Sequence, residues 1–402
     1  MRASLRRGVA MALMPAIMIS TLAQAATPTA LTYTAINPIP PNAQSTVPLP
    51  LIMLNMSKDH QLFYRAYNEF SDYNGDGVPD GTYLHTVAYA GYFDSRKCYT
   101  YSAADQLFSP SAAVSGTNLC AGAWHGNFLN WATMTRMDVL RKVLFGGYRS
   151  SDPTDAKAAT ILERASLPMD AHSFAKYYAN AGSATTDRPN ISSITPFSGV
   201  TELTFCNTTL GDNNTMSQTN TRAPLLRATK GNYSLWNAHE RRQCRWAEEQ
   251  DWSQNGSDNG NDSKVTGLPA EKNYPPRSGA LPGGDRGDFV VRVEVCKPGL
   301  DTTERCRKYP SGNLKPIGLL QEYGEPNLAE FGLVTGSFSK NVSGGVLRRE
   351  ATSFRSEVNH TSDGTFKAGE NGIVSTINKI KIYGYRYSDG LYDADGECKF
   401  QL

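Results

Sequence analysis

The sequence lacks the short motifs that identify the commonest enzyme classes. It has no Gly-Lys dipeptide and hence no P-loop, no His-Glu-x-x-His and no Gly-x-Ser-x-Gly, and its six histidines show no pair at metal-ligand spacing. Charge is sparse and balanced, with 40 basic and 38 acidic side chains making up 19% of 402 residues. A basic field for nucleic acid is therefore missing, and catalysis has no support from motifs.

Long apolar runs are also missing beyond the N-terminus, where none approaches the ~20 residues that span a bilayer. Residues 1–25 have the features of a secretory signal peptide: three arginines within the first seven residues, then a 14-residue apolar stretch and the cleavage site Ala23-Gln-Ala25. We therefore expect an exported protein that is soluble or peripherally attached and is not an integral membrane protein.

Seven cysteines without any Cys-x-x-Cys spacing predict a disulfide framework rather than a metal site in an exported chain. Pairing nearest neighbours gives three local bridges of about 2 to 4 kcal/mol each, although spacing alone does not establish connectivity. These bridges would join Cys98 to Cys120, Cys206 to Cys244 and Cys296 to Cys306. Cys398 is then left over, which indicates an intermolecular bridge or a partner in sequence that this chain lacks.

Composition divides the rest of the chain into four regions. Residues 26–48 form a Pro/Thr/Ala-rich linker, and residues 49–180 an N-terminal α/β module with the candidate metal loop described below. Residues 181–288 are a polar, loop-rich insertion that contains the second cysteine pair. Residues 289–402 are β-rich, mainly antiparallel and incomplete at the C-terminus. The sequence therefore predicts a mixed α+β chain rather than a helical bundle.

Hydrophobic periodicity predicts the main elements. The clearest is one amphipathic helix over Asn127–Phe145, with Asn127 as N-cap, Gly146 as the stop, and Asn130, Asp138 and Arg141 on the polar face. The other predictions are a buried strand over Leu49–Met56, a helix over His60–Phe70, paired strands over Tyr83–Tyr101 and a long alternating strand over Ile373–Tyr387.

One nine-residue loop has the residue pattern of a metal-binding loop. Its oxygen donors lie at positions 1, 3, 5 and 9, with a backbone carbonyl at 7 and a glycine at 6, as a Ca²⁺ ion requires of a short loop. The donors are Asp72, Asn74, Asp76, Val78 through its carbonyl, and Asp80. Tyr83 replaces the bidentate Glu expected at position 12, so the site needs a ligand from elsewhere or is weak, about 10⁻⁴ to 10⁻³ M. The alternative is that these side chains only form Asx-turns.

The tripeptide Arg286-Gly287-Asp288 lies in the second polar tract of the chain. An exposed sequence of this kind is a candidate integrin-binding motif. A tripeptide also occurs often by chance, so its weight is small.

Five stretches of the chain contain long, distinctive runs with rare residues such as Trp131 and Cys296. They are residues 76–80, 91–99, 126–144, 291–298 and 309–320. These stretches resemble the PilY/PilC-type family of type IV pilus biogenesis factors and tip-associated adhesins. The similarity runs from about Leu49 to the last residue.

The resemblance implies a von Willebrand factor A-like N-terminal region with long insertions and, in many members, a calcium-binding C-terminal β-propeller. Nothing in this chain resembles the propeller, so we expect an N-terminal portion of a longer protein or a truncated version. An A-type domain carries Asp-x-Ser-x-Ser after its first strand. This chain departs from that metal-binding pattern with Asn55, Ser57 and Asp59.

The resemblance further implies an exported, non-enzymatic factor for type IV pilus biogenesis and pilus-tip-associated adhesion. Such a factor would act in the periplasm, at the outer-membrane surface, at the pilus tip or after secretion. Its partners would be pilus subunits (minor pilins), the pilus assembly machinery and a host-cell receptor. The alternatives are a secreted calcium-stabilised binding module for a host glycan or protein, and a periplasmic hydrolase.

Overall fold

Short strands outnumber helices in the part of the chain that the structure describes. The computed structural model describes residues 48–114, 118–180, 187–211, 220–238, 243–249, 274–277, 281–282, 287–297, 299–300, 304–336, 345–369, 371–386, 391–392 and 399–401. The predicted signal peptide 1–25 and all of the predicted linker 26–48 except Pro48 lie outside these residues. Within the described residues no helix has the length and apolarity needed to cross a membrane.

The strands are β1 (Leu51–Met56), β2 (Lys97–Ser102), β3 (Leu107–Ala113), β4 (Trp124–His125), β5 (Arg149–Ser151), β6 (Thr160–Glu163), β7 (Phe174–Ala179), β8 (Glu202–Thr209), β9 (Pro224–Lys230), β10 (Asp288–Val290), β11 (Arg292–Val295), β12 (Cys306–Lys308), β13 (Leu314–Pro316), β14 (Glu330–Gly336), β15 (Gly345–Thr352), β16 (Lys381–Tyr383), β17 (Tyr385–Arg386), β18 (Leu391–Tyr392) and β19 (Lys399–Gln401). The helices are α1 (Gly126–Thr133), α2 (Arg136–Phe145), α3 (Leu319–Gly324) and α4 (Ile373–Lys379).

Three sheets organise most of these strands. One has the order β4-β2-β3-β11-β6-β5, a second is the antiparallel sheet β10-β9-β8-β7, and the third has the order β1-β14-β15. Pairing is antiparallel except between β1 and β14 and between β3 and β11. The described strands form neither a barrel nor a propeller, so the chain is a mixed α/β protein. Only Val291 separates β10 from β11, and the two strands enter different sheets.

Two hydrophobic cores hold the sheets together. The first is rich in aromatic rings and joins the six-stranded and four-stranded sheets to α1. Edge-to-face contacts there include Trp124 with Phe289 at 5.2 Å and Phe128 with Phe205 at 5.4 Å between ring centroids. The second core packs α2, α3 and α4 against β1 and β14.

The single helix predicted over Asn127–Phe145 is wrong, because the structure has two helices there. His125, rather than Asn127, caps α1 through Nδ1, and Thr135 adopts an extended conformation that starts α2. Thr135 and Asp138 form a capping box, which satisfies the first N–H groups of α2. The helix ends as predicted at Gly146, which is left-handed with φ of 86°.

The polar face predicted for that helix is also buried. Asn130, Asp138 and Arg141 are 1%, 0% and 3% exposed. The side chain of Asn130 accepts the N–H of Phe93 at 3.0 Å and donates to its carbonyl at 2.8 Å. These contacts occupy the backbone of the Tyr-rich segment, which explains why the strand predicted over Tyr83–Tyr101 exists only from Lys97 onward.

Three further predictions need correction. Only residues 60–63 of the predicted His60–Phe70 helix are helical, in one 3-10 turn, because Tyr64 is extended. The predicted strand over Ile373–Tyr387 begins instead as α4, whose first N–H groups, from Ile373 and Val374, are accepted by Glu357 at 2.7 and 3.0 Å. The first strand exists as β1, but its first half is exposed rather than buried.

Candidate functional site

The candidate calcium loop lies between the 3-10 turn and β2, on the surface. Asp72 is at its centre and accepts the N–H groups of Gly75 at 2.6 Å and Gly77 at 2.8 Å. The hydrogen bond from Gly77, followed by those of its neighbours, lowers the pKa of the Asp72 carboxyl. Gly75 and Gly77 have φ of 79° and 87°, a conformation that glycine adopts without strain.

The other predicted donors join the same network. Asn74 Oδ1 accepts the N–H of Asp76 at 2.9 Å, and Asp76 Oδ1 accepts the N–H of Val78 at 2.8 Å. Asp80 is buried and accepts the N–H of Tyr73 at 2.6 Å. Side-chain carboxylate and amide oxygens therefore accept the backbone N–H groups of the loop, with Asp72 at its centre. Each carboxylate oxygen can accept more than one partner, so these bonds leave acceptor capacity for a cation.

The side chains at position 12 of the loop and at the A-type position are hydrogen-bonded within the chain. Tyr83, at position 12 of the loop, is fully buried, and its hydroxyl contacts His85 Nδ1 at 2.8 Å. At the A-type position, Asp59 Oδ1 accepts the N–H of Gln61 at 2.9 Å and so caps the 3-10 turn. Ser57 Oγ accepts the N–H of Asp59 at 2.8 Å.

The three predicted disulfides are present. They are Cys98–Cys120, Cys206–Cys244 and Cys296–Cys306. Glu304 lies beside the last pair, but disulfide sulfurs offer no thiolate to a metal, so this group of potential ligands is not a metal centre. Cys398 lies outside the described residues.

Asp288 of the tripeptide at 286–288 bonds to other residues of the chain. Arg286 lies outside the described residues. Asp288 forms ion pairs with Arg277 at 2.8 Å and Arg227 at 3.1 Å, and it accepts the indole N–H of Trp246 at 3.0 Å. An integrin would have to displace these contacts to reach the carboxylate.

Histidines that are distant in sequence meet in space, which spacing could not reveal. His172 Nδ1 contacts Asp170 at 2.8 Å, and its Nε2 contacts His60 Nδ1 at 3.1 Å across 112 residues. Both ring nitrogens of His172 are thus in contact with other side chains. The Asp170–His172 pair leads to His60 and not to the Ser or Thr hydroxyl that a catalytic triad would need. His85 and His125 both contact the carbonyl of Asn118, at 2.8 and 3.0 Å.

Three consecutive apolar side chains are exposed at the start of β1. Leu51, Ile52 and Met53 are 67%, 40% and 47% exposed, and among the described strands β1 pairs on one side only, with β14. The N–H of Glu330 donates to the carbonyl of Pro50. Because backbone groups alternate between the two sides of a strand, the N–H and C=O groups of Leu51, Met53 and Asn55 point to the open edge.

An apolar groove of about 510 Å³ adjoins this edge. Its walls include Leu54, Tyr67, Leu140 and Val143, and Val143 is 44% exposed. Parallel strands are usually covered on both faces, and proteins usually protect the edge strands of their sheets. An exposed apolar edge beside an apolar groove is therefore unusual. The apolar run at 49–56 predicted burial, and only the sheet order shows the exposure.

The described residues thus form a disulfide-linked mixed α/β module with a surface loop of oxygen donors and an open strand edge. Two family models match the chain: "PilY1 homolog, small alpha/beta domain" over residues 80–229 and "PilY1 homolog, second domain" over residues 331–401. Together they cover more than half of the 402 residues. The chain belongs to the PilY1 homolog family of type IV pilus factors.

Two curated relatives, both named "Type IV pilus biogenesis factor PilY1 homolog" from Xylella fastidiosa strain Temecula1, agree. One is 35% identical over 372 residues, which is 86% of this chain and 23% of the relative. The other is 31% identical over 255 residues, 61% of this chain and 17% of the relative. The chain thus spans less than a quarter of the length of either relative. No solved structure matches.

Proposed function

We propose that this chain is an exported, non-enzymatic factor that supports type IV pilus biogenesis, twitching motility and pilus-tip-associated adhesion. The family match and the names of the two relatives support this role. Pilus subunits (minor pilins) and the pilus assembly machinery are the proposed partners, with a host-cell receptor as a further one. The proposed location is the periplasm, the outer-membrane surface, the pilus tip or the medium.

The open edge of β1 is the structural observation that carries this proposal. Three residues present their N–H and C=O groups there beside exposed apolar side chains. Such an edge accepts an extended segment by strand addition, which gives affinity through main-chain hydrogen bonds. We propose that a strand of a minor pilin adds to β1. We also propose that the β1–β14 pair is part of a von Willebrand factor A-like sheet.

Calcium has a supporting role in this proposal. Ca²⁺ would bind Asp72, Asn74, Asp76, Asp80 and the Val78 carbonyl, and would hold the loop in the conformation described above. Binding to the folded state alone stabilises it, so the ion would order this surface rather than take part in chemistry.

Complementation of a strain that lacks the gene tests the function. The plasmid carries the full reading frame, including any continuation beyond residue 402, and surface pili, twitching and adhesion are measured. Restoration of all three is expected. Failure of this wild-type plasmid to restore pili or adhesion would contradict the assignment.

Two substitutions at one position test the edge. Met53→Pro removes an N–H that points away from β14, so the ladder to β14 is retained. Met53→Thr removes the same side chain but keeps the N–H. We expect Met53→Pro to restore fewer surface pili than Met53→Thr when both variants have equal melting temperatures. Equal piliation by the two variants would rule out strand addition at β1.

A further inference from the structure

A second cavity, of about 260 Å³, has a lining in which most of the charged residues are basic. Its charged residues are Arg141 of α2, Glu163 of β6, Arg164, Arg222, Arg292 of β11 and Lys381 of β16. Five positive side chains and one carboxylate therefore face one enclosed space. The five cations are spread over 240 positions in sequence, and only the fold brings them together.

Two of these arginines are buried without a carboxylate partner. Among the described residues four arginines are buried. Arg149 pairs with Asp152, and Arg227 pairs with Glu249. Within the described residues Arg141 and Arg164, which are 3% and 1% exposed, form no ion pair, and the Nε atom of each has no hydrogen-bond partner there.

The hydrogen bonds of these two arginines go to neutral oxygens and not to a carboxylate. Arg141 donates to the carbonyls of Ile377 and Ile380 at 3.3 and 3.4 Å. Arg164 donates to the carbonyl of Thr208 at 2.9 Å and more weakly to Asn207 and Leu225. A buried charge without a counter-charge costs several kcal/mol, so both groups favour an anion in the cavity.

The nearby carboxylates do not balance the cluster. Glu163 is ion-paired with Arg292. Asp138 lies behind the cavity wall, where it accepts the N–H groups of Thr135 and Ala165. Burial lowers the pKa of Arg164 to about 10, although Asp138 and Glu163 oppose that shift. Of the six charged residues that line the cavity, Glu163 alone is acidic.

We propose that this cavity binds a phosphate or sulfate group. Guanidinium groups recognise such oxyanions by paired, charge-assisted hydrogen bonds, and several converge here. The volume lies just below the ~300 to 1,000 Å³ of pockets for drug-sized ligands, so it suits a free ion or a small phosphate ester rather than an oligosaccharide.

The ligand would bridge the two matched family domains. Arg141, Arg164 and Arg222 lie within the first match, and Lys381 lies within the second. Anion binding would therefore stabilise the contact between the segment 378–381 and the first domain.

Thermal unfolding and calorimetry of the purified chain test the site. Inorganic phosphate should raise the melting temperature more than sodium chloride at equal ionic strength. Arg222→Gln and Lys381→Gln should each weaken phosphate affinity roughly tenfold, since each removes a charge-assisted contact. Arg96→Gln, which removes an exposed arginine away from the cavity, should leave the affinity unchanged. Both cavity variants alter partly or fully exposed side chains, so folding is retained.

Three results would overturn the proposal. The first is an equal effect of phosphate and chloride on the wild-type chain. The second is phosphate binding that Arg222→Gln and Lys381→Gln leave unchanged, which would place the ion elsewhere. The third is binding to vesicles of phosphatidylglycerol without binding of inorganic phosphate, which would indicate a surface patch. The affinities of glycerol 3-phosphate and of inorganic phosphate are compared to show whether the site prefers a phosphate ester or the free ion. Tighter binding of either ligand supports the site.

Discussion

Asp138→Ala tests the division of the predicted long helix into two. Asp138 Oδ2 accepts the N–H of Thr135 at 3.0 Å and its hydroxyl at 2.6 Å, and Oδ1 accepts the N–H of Ala165 at 2.8 Å. Asp138 and Thr135 are 0% exposed, so water cannot replace these bonds. If Asp138 lay on the solvent face of a continuous helix, the same substitution would be neutral or slightly stabilising.

The magnitude follows from the bonds that are lost. Thr135 remains as the N-cap, and loss of the Asp138 half of the capping box costs about 1 kcal/mol. The N–H of Ala165 becomes a buried donor without a partner, which costs about 1 to 3 kcal/mol. We therefore expect Asp138→Ala to lower the free energy of unfolding by about 2 to 4 kcal/mol. Asp138→Asn keeps one carbonyl oxygen as an acceptor and should lose about half as much.

Urea unfolding of the disulfide-intact chain, followed by tryptophan fluorescence, measures these differences. Asp105→Ala is the matched control, because Asp105 is exposed and bonds only within its turn, to Ser102. This control should change stability by less than about 0.5 kcal/mol. A value for Asp138→Ala within that same range would refute the capping role and the division of the helix.

Three further predictions concern other parts of the chain. Burial lowers the pKa of His125 to about 4, below the unfolded value near 6.5, so the unfolded state takes up the proton first. Stability should then fall by about 3 kcal/mol between pH 6.5 and pH 4, and His125→Gln should flatten that dependence in urea titrations. Removing Cys206–Cys244, which closes 38 residues, should cost about 4 kcal/mol against about 3 for Cys296–Cys306, which closes 10, in the same assay. Ca²⁺ at ten times its dissociation constant should add about 1.4 kcal/mol to the wild type and nothing to Asp76→Ala, as seen by calorimetry.

Each of these has a result that would count against it. An unchanged pH slope in His125→Gln would assign the acid sensitivity to other groups. A larger loss from the shorter disulfide loop would show that loop closure does not govern these bridges. Equal melting temperatures with millimolar Ca²⁺ and with chelator, in wild type and Asp76→Ala, would exclude the calcium site.

Features that depend on near neighbours in sequence could be predicted from it. The nearest-neighbour disulfides, the stop at Gly146 and the winding of the loop around Asp72 each depend on local spacing. The strand positions near 289–295 and 330–336 also follow from short apolar patterns. The exposure of β1 could not be predicted, because it depends on which strands pair beside it.

The sequence does not predict the division of the helix, because two patterns within residues 127–145 favour different structures. The apolar positions of 127–145 fit one helical face, whereas Thr135 and Asp138 form a Ser/Thr-x-x-acid start signal within it. Periodicity favours one long helix. The capping box prevails because Asp138 also bonds Ala165, a contact that no local pattern contains.

The Tyr-rich segment shows how side chains can take the place of a neighbouring strand. Its composition predicts strands, yet the N–H groups of Tyr89 and Phe93 are accepted by Asn127 and Asn130 of α1. Asn130 also donates to the carbonyls of both residues, at 2.8 Å each. Two buried amides thus satisfy backbone groups that a strand partner would otherwise bond, and they hold the segment against α1. The sequence predicts Asn127 as a helix N-cap and Asn130 on the polar face of that helix, so correct placement of the segment required the tertiary contact.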